Sequence, residues 1–253
     1  MTGTGTNDEV VWHDVECGAY AADLPMWSEL ADEAGDDGCD VLELGCGTGR
    51  VALPLAALKH RVTGIDTDPE LVEELSRRAG EHGVPVEAIV DDARSFSLGR
   101  EFDLVVAPMQ VVQLLRGTAE RTAMLSRIRS HLRPAGIAAI ALLGPEEEWT
   151  ATPEDAPLPD MREEGAWVYS SLPVAVRLVE DGEALLLERK RQRVSPRGEV
   201  QEEPWSIRLE LVRPEALEEE ARAVGLEPLP SREIAATDNH IGSTVVILRR
   251  PER

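Results

Sequence analysis

The strongest constraint on this chain is the segment Val41-Leu-Glu-Leu-Gly-Cys-Gly-Thr-Gly-Arg50, a short apolar run that breaks into alternating glycines. Val41–Leu44 reads as a buried strand and Gly49–Leu58 as the helix that follows it. Glycine at 45, 47 and 49 lets the backbone turn sharply and approach a ligand with no β-carbon between them. The helix N-terminus behind the turn presents unpaired N–H groups and a positive dipole end, which suits an anionic group. In an open α/β sheet, a turn at the carboxyl end of the first strand is where ligands bind.

The spacing narrows the ligand. A dinucleotide fingerprint needs a third small residue for close helix–strand packing, and here that position is Arg50, which fits NAD or FAD badly. No Gly-Lys-Ser/Thr follows, so a P-loop is excluded. The second strand, Arg61–Asp66, ends on a carboxylate that can accept hydrogen bonds from both hydroxyls of a ribose. The third, Pro85–Val90, runs into Asp91-Asp92-Ala93, where a carboxylate can accept from an adenine amino group. Either acid alone reads equally well as a solvated strand-end residue. The weight lies in all three features falling at successive strand ends.

Further strands are expected at Phe102–Ala107 and Ile137–Leu143, and helices at Pro69–Gly80 and Glu120–His131. Asp68-Pro69-Glu70 supplies an acidic cap, a proline at the first turn and an acid favoured by the dipole. Strand–helix alternation with continuous apolar strands implies a doubly wound, Rossmann-like, mostly parallel α/β sheet. After Gly144 the pattern changes. Pro145–Pro159 reads as a loop, and three strand-like runs follow at Trp167–Val179, Ala184–Val194 and Val200–Val212. Asp181-Gly182 and Ser195-Pro196-Arg197-Gly198 separate them, so they form a three-stranded antiparallel meander. Pro214–Val224 is a helix stopped by Gly225, and Leu229–Ala235 with Thr244–Leu248 closes the sheet with an antiparallel last strand. The expected organisation is a tail and helical cap over 1–40, a core from 41–145 and 213–253, and an inserted meander over 146–212.

The net charge is −22, from 48 acidic against 26 basic side chains, and an acidic surface repels phosphate backbones and anionic lipid. The basic run Arg189-Lys190-Arg191 alternates with apolar residues and reads as a solvated strand face. Cys17, Cys39 and Cys46 are too few for a disulfide framework or a zinc site, and no metal site is expected. With no long apolar run and no signal-peptide core, a cytoplasmic enzyme is the expectation.

Taken together these segments resemble the class I S-adenosylmethionine-dependent methyltransferases of the small-molecule N- and O-methylating type. "VLELGCGTGR" is similar to that family's first motif and "VTGIDTDPELV" to its second. "VDDARSF", "FDLVVAPMQVVQLL" and "LRPAGIAAIALL" resemble the motifs of the third, fourth and fifth strands, the resemblance covering residues 41–143. Ala135-Gly136 departs from it, since the family commonly has two glycines there. The resemblance implies S-adenosyl-L-methionine as cofactor and S-adenosyl-L-homocysteine as product. It sets Gly45, Gly47 and Gly49 against the methionyl part and Arg50 near its carboxylate, with Glu43 and Cys46 of the same motif also binding the cofactor. Asp66 would take the ribose hydroxyls, Thr67 the adenine edge, and Asp92 with Ala93 the adenine, Asp92 being preferred to Asp91. Ala107 and Met109 would lie near the sulfonium and the transferred methyl.

Methyl transfer is an in-line displacement on a good leaving group, so positioning in a dry site matters more than acid–base chemistry. A base is needed only when the nucleophile starts protonated, and the sequence shows no catalytic dyad. Tyr20 in "YAADLPMW" resembles a lid tyrosine of small-molecule members and reads equally as a core residue. Gln110 can orient a polar acceptor, Met109 can form an adaptable apolar wall, and Gln113 is expected to face solvent. Trp167 and Tyr169 share a strand face, so they either line an acceptor pocket or fill packing, and Trp205 has the same two readings. Among the histidines, His60, His82 and His131 are expected at helix ends away from the site. His13 and His240 are candidates for a base, with a surface role as the plainer reading. Within the family the inserted meander covers the acceptor site or supports a homodimer. The alternatives left open are a noncatalytic cofactor-binding protein, a protein-directed methyltransferase and an aminopropyl-type transferase on the same fold.

Overall fold

A computed structural model describes residues 8–35, 38–144, 158–237 and 240–252. The first seven residues and most of the Pro145–Pro159 loop lie outside the described residues.

Strand–helix alternation produces a seven-stranded sheet in the order β10-β11-β5-β4-β1-β2-β3. Its parallel strands are β1 (Asp40–Leu44), β2 (Arg61–Asp66), β3 (Val86–Val90), β4 (Phe102–Ala107) and β5 (Leu132–Leu143). β11 (Ser243–Arg249) is antiparallel to both β5 and β10 (Glu227–Ile234), so it alone runs against the sheet. The order reverses between β1 and β4, which opens a crevice at their carboxyl ends. The apolar faces of the central strands are covered on both sides. Leu42, Leu44, Val105 and Ile140 pack into one buried cluster, and Val41, Val62, Leu104 and Val106 into another.

The helices are α1 (Asp8–Cys17), α2 (Leu24–Ala34), α3 (Ala52–Ala57), α4 (Pro69–His82), α5 (Gly117–His131) and α6 (Pro214–Ala223). α4 begins as its sequence requires. Asp68 accepts from Glu70 N at 2.8 Å and Leu71 N at 3.4 Å, Pro69 fills the first turn, and Gly83 ends the helix at φ 65°. β5 starts five residues earlier than the expected Ile137, because Leu132 pairs with Phe102 of β4 before the register shifts. Among the described residues no helix is long and apolar enough to cross a membrane.

The meander is four-stranded: β6 (Asp160–Glu164) pairs with β7 (Trp167–Val179), β7 with β8 (Ala184–Val194), and β8 with β9 (Val200–Glu210). The chain divides into two compact units, residues 1–21 with 151–211 and residues 22–150 with 212–253. The N-terminal segment expected to act as one helical cap therefore splits. α1 joins the meander unit and α2 joins the core unit.

Within the meander unit, α1 is bound by rings and charges. Trp12 meets Tyr169 edge to face at 5.0 Å between centroids, and Val11 and Val15 complete that cluster. Tyr169 Oη donates to Asp8 at 2.8 Å, and Arg191 grips Glu16 with Nε and Nη2, both at 2.8 Å. Arg191 is buried, with its guanidinium over Trp12 and Trp205. The expected solvated face of Arg189-Lys190-Arg191 thus holds for Lys190 alone, since Arg189 is also held, by Ser171 and Asp160.

Candidate functional site

The glycine turn leaves β1 with Gly45, Gly47 and Gly49 at φ 69°, 50° and 94°, a left-handed path that disfavours other residues. Close packing adds to the requirement. A β-carbon on Gly45 would stand 2.6 Å from Val111 Cγ2, and one on Gly49 2.4 Å from Leu75 Cδ1. These two glycines therefore seat the turn against the segment after β4 and against α4. Cys46 is tucked under the turn against Gly64, where a β-carbon would be 2.8 Å from its sulfur. Burial pushes the Cys46 thiol far up, so it is an inert packing group.

Asp66 closes β2 with both oxygens held by backbone donors: Gly47 N at 2.9 Å to Oδ2 and Asp68 N at 3.0 Å to Oδ1. Each carboxylate oxygen has two lone pairs, so each keeps capacity for an outside donor such as a hydroxyl. Thr67 beside it is exposed. After β3, the buried Phe96 anchors the loop, packed at 4.5 Å against the His131 ring. Arg127 Nε donates to Phe96 O at 2.6 Å, and His131 Nε2 accepts from Leu98 N at 3.1 Å. Burial holds His131 below its ordinary value, consistent with a neutral acceptor. The loop so fixed presents Asp92 and Ala93, both partly buried. Asp92 accepts from Arg94 N at 2.8 Å and from the Arg94 guanidinium, which holds its carboxyl below the usual carboxylate range. Asp91 instead accepts from Asp92 N at 2.8 Å.

A third cluster lies beneath the turn. Asp23 sits at the N-terminus of α2, yet its side chain makes no helix cap. It is 1% exposed and takes Arg50 bidentately at 2.6 and 2.8 Å, as well as Trp27 Nε1 at 2.8 Å. Sequence reasoning missed Asp23. An acid two residues before the proline of an N-terminal helix signals a cap, and nothing local says that its partner is Arg50. Glu43, on β1, is 2% exposed with Oε2 buried and without a hydrogen-bond partner. Burial pushes its carboxyl up to about 8, against the opposing pull of Arg50 and of the Ala52 N–H.

At the end of β4, Ala107 is fully buried and Met109 adopts φ 54°, a left-handed conformation that strains any residue with a β-carbon and clusters at functional sites. Gln110 is partly buried and its carbonyl accepts from Gln113 N at 2.9 Å, opening a 3-10 turn over Val111–Leu114. Gln113 does not face solvent: it is 1% exposed, and its Oε1 accepts from Leu143 N at 2.7 Å, tying the turn to the end of β5.

The core unit thus brings Glu43, the glycine turn, Arg50, Asp66, Asp92 and Met109 to the carboxyl ends of its strands. His240, in the same unit, is held in a turn by Thr237, its N–H donating to Thr237 Oγ1 at 3.1 Å. Tyr20, Trp167 and Tyr169 belong to the meander unit. Tyr20 is buried, Tyr169 is committed to Trp12 and Asp8, and Trp167 packs on the cluster of Trp12 and Tyr169. His13 lies on α1 4.0 Å from Asp14. His82 bonds to Arg78 O at 2.8 Å on α4. His60 accepts from Cys39 N at 3.3 Å at the amino end of the sheet, and burial pushes the Cys39 thiol up to about 11. Among the described residues no cluster of His, Cys, Asp and Glu suits a metal ion.

Residues 41–136 match a family model described as a methyltransferase domain. The chain is 32% identical over 111 residues to the cypemycin N-terminal methyltransferase of a Streptomyces species, covering 44% of each protein. It is 36% identical over 123 residues to the ubiquinone biosynthesis O-methyltransferase of Methylobacterium sp. strain 4-46, covering 47% of this chain and 48% of that one. The match therefore spans less than half the length of either relative. Among solved structures, the sugar N-methyltransferase KedS8 from Streptoalloteichus sp ATCC 53650 superposes with a TM-score of 0.74 at 19% identity, over 100% of this chain and 96% of that one. The S-adenosylmethionine-bound amino pentose methyltransferase CalS10 from Micromonospora echinaspora gives 0.71 at 20% identity, over 99% of both chains. At such identities the likeness speaks for the fold. The 41–136 segment is thus similar in sequence to a methyltransferase domain, and the chain shares the fold of these solved structures.

Proposed function

We propose that this chain is an S-adenosylmethionine-dependent methyltransferase acting on nitrogen or oxygen of a small molecule. One observation carries the reading. Within the segment matched as a methyltransferase domain, three consecutive strand ends hold a left-handed glycine turn, a backbone-anchored Asp66 and a loop-anchored Asp92. The cofactor also fits the polar inventory. The buried, unpartnered Glu43 Oε2 suits an ammonium, and Asp66 has lone pairs left for ribose hydroxyls, while Asp92 would exchange its Arg94 guanidinium contacts for an adenine amino group. When bound, S-adenosylmethionine supplies a methyl group activated by a sulfonium. The chain's own part is to hold the two reactants in line. Gly47 and Arg50 border the amino-acid end, Ala107 and Met109 wall the transfer point, and Gln110 orients the acceptor. The names of the relatives support both nitrogen and oxygen as acceptor atoms and small molecules as substrates.

The same reading places the protein in the cytoplasm without nucleic-acid or membrane partners, as its charge of −22 supports. It also favours a homodimer, supported by Val176 and Leu178, two exposed apolar side chains on one face of β7.

Isothermal titration with S-adenosylmethionine and S-adenosylhomocysteine tests the assignment. Wild type should bind in the micromolar range, on the order of −8 kcal/mol. Asp66→Ala removes two charge-assisted acceptors and should lose about 2–4 kcal/mol. Absence of wild-type binding overturns the proposal, and undiminished binding by Asp66→Ala overturns the ribose contact.

A further inference from the structure

We infer that Glu43 carries a proton in the free chain and releases it when the positively charged amino group of the cofactor docks beside it, so that cofactor binding is linked to proton release. The inference rests on the cofactor proposed above.

The geometry is one of missing positive charge. The charged and titratable groups acting on Glu43 are Arg50 behind the glycine turn, Asp23 before α2 and Asp66 at the end of β2, and Glu43 in turn acts on Cys46. That is one cation among three carboxyls. Both terminal nitrogens of Arg50 are given to Asp23, which is itself almost fully buried. Glu43 Oε2 is left without a hydrogen-bond donor in a fully enclosed position. A bare carboxylate there is costly, whereas a protonated carboxyl is not. Burial, the largest influence on this group, acts in the same direction.

A ligand carrying an ammonium changes the balance. It brings the missing cation and donors to the empty oxygen, which favours the charged carboxylate. The Glu43 O–H bond then breaks and its proton passes to solvent, leaving a carboxylate–ammonium pair. Ligands with the adenosine part alone bring no such charge and leave the proton in place.

The test is titration of the full chain with S-adenosylhomocysteine at pH 6.5 in buffers of different ionisation enthalpy. At that pH the ligand's α-amino group, with an ordinary pKa of about 7.7–8.0, is already protonated and takes up little. Close to one proton should be released per ligand bound, and affinity should rise nearly tenfold from pH 6 to pH 7. 5′-Methylthioadenosine, which lacks the amino-acid end, should bind with no proton release and no such slope. Glu43→Gln keeps the shape of the protonated carboxyl, and circular dichroism verifies its fold. It should bind S-adenosylhomocysteine without releasing a proton. Wild-type binding with no proton exchange, or an unchanged proton count in Glu43→Gln, overturns the inference. Failure of wild type to bind either ligand overturns the cofactor assignment instead, so the two failures read differently.

Discussion

Replacing Glu43 by glutamine should stabilise the ligand-free chain at neutral pH, by an amount that depends on pH in a calculable way. Burial raises the Glu43 carboxyl from 4.5 to about 8. Above pH 4.5 the unfolded chain releases this proton while the folded chain keeps it. The contribution to stability is therefore complete below 4.5 and is lost progressively as pH rises to about 8. From 4.5 to 7 is 2.5 pH units, which at about 1.36 kcal/mol per unit gives about 3 kcal/mol lost at pH 7. Glutamine removes the titration. It also adds two N–H donors to a buried site, a cost of about 1 kcal/mol. The net expectation is a variant more stable by about 2 kcal/mol at pH 7, or roughly 4–8 °C in Tm. The gap should vanish or reverse near pH 5 and widen towards pH 8. Urea denaturation at pH 5, 6, 7 and 8 measures it directly, with a slope of about 1.4 kcal/mol per pH unit between the two proteins. A pH-independent difference, or a variant less stable at every pH, would refute the reasoning.

Asp23→Asn keeps an acceptor for Trp27 but leaves the Arg50 fork facing a neutral group. Breaking a buried pair of this kind should cost about 3–5 kcal/mol in chemical denaturation, and a loss under about 1 kcal/mol would show that the pair is dispensable. Gly49→Ala must adopt φ 94° and place a methyl 2.4 Å from Leu75 Cδ1, so strain and overpacking together should cost about 2–5 kcal/mol. A wild-type melting curve would contradict the packing role given to Gly49. Ala135 holds φ 64°, where an L residue is strained. Ala135→Gly should therefore gain up to about 1 kcal/mol despite glycine's greater unfolded entropy, and a clear loss in Tm would contradict this.

Much of the sheet was legible because strands that are buried on both faces announce themselves. Arg61–Asp66 and Phe102–Ala107 begin and end where their apolar runs do. β6 was not legible. Its sequence Asp-Met-Arg-Glu-Glu has no apolar alternation, and it becomes a strand by pairing with β7, with Arg162 opposite Tyr169. The fifth strand was likewise expected only from Ile137, while the chain through Pro134 and Gly136 is carried into β5 by the pairing of Leu132 with Phe102. Gln113 was misplaced for a related reason. A polar residue on a short 3-10 turn has no periodicity to show which way it faces, and its burial follows from the Leu143 N–H it satisfies.

The candidate site divides along the same line. Where a carboxylate stands is a local matter, because a strand end fixes the backbone. What that carboxylate can do is set by groups that come from elsewhere in the chain. Glu43 and Asp66 belong to adjacent strands of one parallel sheet. Asp66 is met by two backbone N–H groups and remains an acceptor for an outside hydroxyl. Glu43 is shut in beneath the turn, and the nearby arginine is already committed to an aspartate from another helix. Two acids of the same chemistry thus stand in opposite surroundings, one supplied with donors and one deprived of them. The Asp23–Arg50 pair is the deciding element, because a guanidinium released from Asp23 would be free to neutralise Glu43. On that argument, the proton count measured on ligand binding should fall in Asp23→Asn as well as in Glu43→Gln.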